Sequence, residues 1–250
     1  MTSTTALGRL TATEFKLYLR DGVGLAIGIA LPIVLLVIFG SIPSFNQPKD
    51  GDFGGLTLLE TFVPILATFV LAMFALQMMP PVLAGYREKG ILRRMRTTPA
   101  GPVRVLSAQL IVGLGASAVA VIALLVVARA AYGVALPAQV GGFVLTVVLA
   151  AVALDAIGLF IAAASPSTRA ANAFGAIGFY LLTFFAGLWY PIPAMPRLLQ
   201  HISHATPLGA AVEAIQDASL GHFPHPLQLV TLALYAVVFG AAAARLFRWE

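Results

Sequence analysis

The sequence contains no cysteine, which removes disulfides and thiolate metal sites from consideration. Charge is scarce too: Asp, Glu, Lys and Arg make up 10% of the 250 residues, against about 25% in soluble domains. No G-x-x-x-x-G-K-[ST] loop occurs, nor even a Gly-Lys dipeptide, so nothing in the chain cradles nucleotide phosphates. H-E-x-x-H and G-x-S-x-G are missing as well, and with them two common peptidase and hydrolase arrangements. No nucleophile–base constellation marks an enzyme. Any ATP hydrolysis tied to this chain is expected in another polypeptide.

What fills the sequence is apolar. Hydrophobic residues make up 60% of it and the mean hydropathy is +0.94. A crossing helix takes roughly 20 apolar residues, and the runs present allow about six of them. The expected fold is an all-α integral membrane protein, a single transmembrane domain over residues 1–250. Its spans fall near 22–40, 58–79 (continuing to 85), 103–128, 138–164, 170–190 and 227–246. The first run lacks a convincing cleavage site and is followed by further spans, so it reads as a retained helix. Pro32 and the pair Pro80-Pro81 are expected to bend their helices. Trp189-Tyr190 is expected to anchor the end of the fifth span at the interface.

Outside the spans, residues 5–21 alternate apolar with polar or charged positions and predict an amphipathic helix lying in the interface. Residues 191–220 hold two apolar stretches too short to cross about 30 Å of hydrocarbon, which suits a re-entrant pair on the outer side. With the N-terminus inside, twelve Lys and Arg fall in inner segments and three (Lys49, Arg129, Arg197) in outer ones. That asymmetry predicts an N-in, C-in topology. The net charge of +5 is read as orientation and not as nucleic-acid binding, because no basic face with interleaved aromatics lies outside residues 86–104.

That exception is the densest charge in the chain. Residues 86–105, Y-R-E-K-G-I-L-R-R-M-R-T-T-P-A-G-P-V-R-V, carry six of the fifteen Lys and Arg residues between two apolar runs. Good helix formers run from Arg87 to Met95, and Pro99 stops any helix by Thr98. Ile91, Leu92 and Met95 share a face, with Arg93, Arg94 and Arg96 largely on the others. Spacing alone leaves two readings open: docking of a cytosolic partner, or a topology marker that touches lipid headgroups.

From Arg87 to Arg94, with Thr98-Pro99 beyond, this stretch resembles the E-R-E-K-G-T-L-R-R-L-R-x-T-P segment of type-2 ABC exporter permeases. Tyr86 stands where an acidic residue often occurs. A second likeness lies in W-Y-P-x-P-x-x-P at Trp189–Pro196 and in Thr206-Pro207-Leu208 with Val212-Glu213-Ala214. The resemblance implies an elbow helix at 5–21, a cytoplasmic coupling helix at 86–98 and an outer re-entrant segment at 191–220. It implies that Arg87, Glu88, Lys89, Gly90, Leu92, Arg93, Arg94 and Arg96 contact an ABC ATPase subunit. Two such subunits would bind ATP and Mg and serve a homodimer, or a heterodimer with a similar permease, in the plasma (inner) membrane. The cargo implied is an amphiphile: a drug, natural product or lipid.

Three acidic residues are candidates for the substrate pathway or a gate. Asp155 lies well inside the fourth span, where a carboxylate costs about 2.5–3.5 kcal/mol unless paired, protonated or facing water. It reads as a cationic-substrate contact, a proton relay, or a hydrogen bond to a neighbouring helix through Asn172 or a Ser/Thr. Glu60 lies near the outer end of the second span, and Glu213 sits in the re-entrant pair at the family's acidic position. All four histidines, His201, His204, His222 and His225, fall in the outer segment, and the H-x-x-H pair reads as a solvated interfacial feature more readily than as a metal site. Two other classes compete with the exporter: an ion-coupled secondary transporter using Asp155, and a membrane assembly factor that transports nothing.

Overall fold

An apolar run in lipid has to satisfy its backbone polar groups within itself, and each long run in this chain does so as helix. The computed structural model describes residues 8, 11–13, 15–16, 22–47, 57–91, 94 and 101–246; among these there is no β-strand. The principal helices are α1 (Gly22–Gly40), α2 (Leu58–Glu88), α3 (Gly101–Tyr132), α4 (Val140–Ala164), α5 (Thr168–Phe185), α6 (Arg197–Ala205), α7 (Pro207–Ser219) and α8 (Pro226–Leu246). By length and composition α2, α3, α4 and α8 can cross a membrane. α1 is an apolar helix of 19 residues. α5 has 18, with Arg169 and Asn172 near its start shortening its apolar stretch. Of the stretch expected to form an elbow, residues 8, 11–13 and 15–16 are helical; the remainder of 5–21 lies outside the described residues.

α2 is the hub. It is apolar all round and almost wholly buried, with α1, α3, α4, α5 and α7 packed about it. Leu66, Leu71 and Leu76 of this helix, Leu36 of α1, Leu124 of α3, Leu154 of α4 and Leu208 of α7 are sequestered within the resulting core. α8 lies mainly against α4.

α2 starts at a capping box: the Thr57 hydroxyl accepts the Glu60 N–H (3.1 Å), and the Glu60 carboxylate accepts the Thr57 N–H (2.9 Å). Midway it changes hydrogen-bond period, running as α-helix over Leu58–Ala72, π-helix over Met73–Met78 and α-helix again over Met79–Glu88. The cause lies just downstream. Pro80 and Pro81 have no N–H to offer the carbonyls four and five residues before them, and the Met79 N–H reaches back five residues to Phe74 O. The prolines thus reorganise the hydrogen bonding of the helix, and the helix continues through them. Ala75 O and Leu76 O, whose intrahelical donors would have been prolyl nitrogens, face α4 and α5. A Cβ at Gly158 would sit 2.1 Å from Ala75 O, and one at Gly175 would sit 2.1 Å from Leu76 O. Only glycine admits so close an approach, which brings Cα–H groups onto the two carbonyls.

Two boundaries differ from the sequence expectation. α5 stops at Phe185, because Gly187 N–H bonds Phe184 O (3.1 Å) and Leu188 N–H bonds Thr183 O (3.2 Å), a paired closure that ends helices. Trp189 and Tyr190 therefore lie beyond the helix, exposed. α6 and α7 are separated by Thr206 alone, whereas the two short apolar stretches of residues 191–220, Leu198–Ile202 and Leu208–Ile215, leave Ser203–Pro207 between them. The Thr206 backbone is extended, its hydroxyl donates to Ser203 O (2.7 Å) at the end of α6, and it accepts the Gly209 N–H (3.1 Å) at the start of α7. Ser203 Oγ bonds Phe185 O and ties this corner to the end of α5.

Candidate functional site

The basic stretch begins inside α2. Tyr86, Arg87 and Glu88 form its last turn, Lys89 is the C-cap, and Gly90 takes φ +65°. That left-handed residue ends the helix as glycine characteristically does. Helical backbone resumes at Ile91, and Arg94 N–H bonds Gly90 O (3.1 Å). The expected unbroken helix from Tyr86 is thus divided at Gly90, a signal present in the sequence but outweighed by the helix formers on either side. Leu92, Arg93 and Arg96, the other candidate partner contacts, lie outside the described residues; Lys89 and Arg94 are exposed.

Arg87 and Glu88 turn toward α4 and α5. The half-buried Arg87 guanidinium donates to Ala162 O (3.5 Å), Ala163 O (3.3 Å) and Ser165 O. Those carbonyls belong to the last turn of α4 and the residue that caps it, which have no helical donors of their own. The Glu88 carboxylate accepts the Thr168 N–H (2.8 Å) and the Thr168 Oγ1–H (2.5 Å) at the first residue of α5. Each charge faces the helix end that attracts it, cation at a C-terminus and anion at an N-terminus. In the sequence the spans near 138–164 and 170–190 leave residues 165–169 as no more than a short connection. Ser167, an N-cap whose Oγ accepts the Ala170 N–H (3.1 Å), is the signal that could have placed a helix start beside it. Beside these contacts Pro81, Glu88, Ser167, Thr168, Arg169 and Asn172 line an open groove of about 750 Å³.

At the other end of α2 the acidic candidates separate. The Glu60 carboxylate closes the capping box and also accepts the Thr57 hydroxyl (3.0 Å). Glu213 of α7 contacts His204 Nδ1 of α6, so this carboxylate and imidazole bridge the two short helices. Both line a cavity of about 270 Å³ against α2, together with Thr61, Phe62, Ile65 and Gln200. Glu60 faces a different cavity of about 110 Å³, with Val63, Pro64, Ala67, Phe143 and Gln216.

Asp155 stands apart from these. It is buried in α4, one turn before Gly158 on the side that packs against α2. Among the described residues no hydrogen bond or ion pair reaches its carboxylate. Asn172, considered above as its partner, lines the open groove beside Glu88 and Thr168 instead. The three acidic candidates therefore occupy three places and form no common site.

A comparison with curated proteins finds no match. A family model, ABC-2 type transporter, matches residues 5–220, a stretch that takes in α1 to α7 and every residue of the sites just described. With four helices among the described residues long and apolar enough to cross a bilayer, this multi-pass membrane protein belongs to the ABC-2 type transporter family.

Proposed function

We propose that the chain is the membrane-spanning subunit of an ATP-driven exporter, with six spans, both termini cytoplasmic and an amphiphilic drug, natural product or lipid as cargo. The observation that carries this reading is the placement of the basic stretch. It emerges from the inner end of α2, the helix buried along its length among five others, so force applied there enters the centre of the bundle. The chain has no phosphate-binding loop of its own, which fits a separate ATPase subunit seated on residues 87–96. Two permease chains and two ATPase subunits would complete the transporter. Closure of the ATPase subunits on ATP shifts the bundle between inward- and outward-facing states by as much as ATP prefers one of them. Glu213, His204 and their cavity would then lie on the outer part of the pathway.

Charge reversal tests the reading. In Arg93→Glu/Arg94→Glu the chain should still insert in the membrane, while co-purification of the ATPase subunit and cargo-stimulated ATP hydrolysis are lost. Undiminished capture and stimulation in that variant would end the proposal. The unpartnered carboxylate of Asp155 favours a second reading, ion-coupled transport. Export that follows a proton gradient without ATP, and stops in Asp155→Asn, would select it.

A further inference from the structure

We infer that Arg87 and Glu88 form a clamp by which the basic inner stretch holds α4 and α5, with Thr168 as the positioning residue gripped on α5. This rests on the functional reading above and specifies how a displacement at the inner surface enters the bundle. Two neighbouring residues on the last turn of α2 reach partners 75 to 80 positions further along the chain. Arg87 takes the carbonyl end of α4 and Glu88 the amide end of α5, so one turn of α2 grips both sides of the connection between those helices. Gly90 then redirects the backbone, and the next helical turn starts at Ile91. The clamp thus occupies the first two residues of the stretch assigned to the ATPase subunit, and only Lys89 and Gly90 separate it from that next turn.

The connection does not need the clamp in order to form. Ser167 Oγ already caps α5 through the Ala170 N–H (3.1 Å), and Ser165 Oγ already bonds Ile161 O (2.6 Å) in the last turn of α4. Glu88 is exposed, and an exposed charged contact adds little to folding. What the five bonds supply is linkage. With them, movement of the inner end of α2 carries α4 and α5 along; without them α2 moves alone. The arrangement also has polarity, since exchanging the two charges would set each against the wrong helix end.

The test uses the full chain assembled with its ATPase subunit in lipid nanodiscs. Because the chain has no cysteine, spin labels can be placed singly at Phe174→Cys on α5 and Leu246→Cys at the end of α8, both exposed. The labelled complexes are diluted with unlabelled chain, and a non-hydrolysable ATP analogue is added. In the parent the analogue should change the distance between the labels. Thr168→Val, which removes the hydroxyl and keeps the backbone N–H, should lower the ratio of shifted to unshifted molecules by about threefold to fivefold, the upper range for one exposed charged contact. Thr168→Ser should restore it. ATPase capture and basal ATP hydrolysis should be the same in all three. If Thr168→Val shifts like the parent, the clamp is refuted while the exporter reading stands. Failure of Thr168→Val to assemble also counts against it, since the connection retains its own caps. If the parent captures no ATPase subunit, the exporter reading falls and the clamp falls with it.

Discussion

Glu60, a candidate for the substrate pathway, has a structural role that its place near the end of a span does not reveal. A lone acid near the outer end of a span suggests a contact for cargo, yet its oxygens serve the first turn of α2, accepting the N–H and the hydroxyl of Thr57. Replacing it with Ala should cost about 1 kcal/mol of stability in chemical unfolding, the usual magnitude for a lost cap. Glu60→Gln keeps an accepting oxygen and should stay within a few tenths of the parent. If Gln instead leaves stability intact but impairs export, the residue has a second role at the pathway. The T-x-x-E spacing that announces this box is legible in the sequence. Arg87 and Glu88 were not legible in the same way. Their charge and helical setting could be read directly, but spacing along a chain says nothing about a helix end some 75 residues away.

Helices proved easier to read than sites, for a physical reason. Hydrocarbon forbids an unsatisfied backbone, so length and apolar content nearly dictate a helix wherever both suffice. α2, α3, α4 and α8 follow that logic. What hydropathy does not register is local backbone chemistry: the closure at Gly187, the division at Gly90, and the change of period before Pro80-Pro81. The last of these is paired with two glycines on other helices, which no pattern within α2 could reveal. Gly158→Ala and Gly175→Ala each place a methyl group 2.1 Å from a carbonyl oxygen of that segment, and backbone cannot swing aside as a flexible side chain can. Each substitution should destabilise the chain by about 1–3 kcal/mol, as overpacking does, read as a lowered unfolding midpoint in detergent. Gly113→Ala, in α3 with nothing within 4 Å of the added carbon, is the control and should be neutral or slightly stabilising.

The orientation we propose for the bundle rests on charge, with twelve Lys and Arg assigned to one side and three to the other. Cysteine scanning on this cysteine-free chain can check it. Ser44→Cys, exposed after α1, should react with a membrane-impermeant maleimide from outside intact cells. Lys89→Cys, exposed at the inner end of α2, should react only after permeabilisation. The opposite pattern would invert the protein and remove its basic stretch from any cytosolic ATPase. The π-segment of α2 has a further consequence for the length of the chain. A helix with one such turn holds about one amino acid more than a regular helix bridging the same gap. Deleting one residue from 73–78 is thus the excision that would leave the Thr57 end and the Glu88 end in their present mutual register. Deleting one elsewhere in the rod would turn its two halves by about 100° relative to each other.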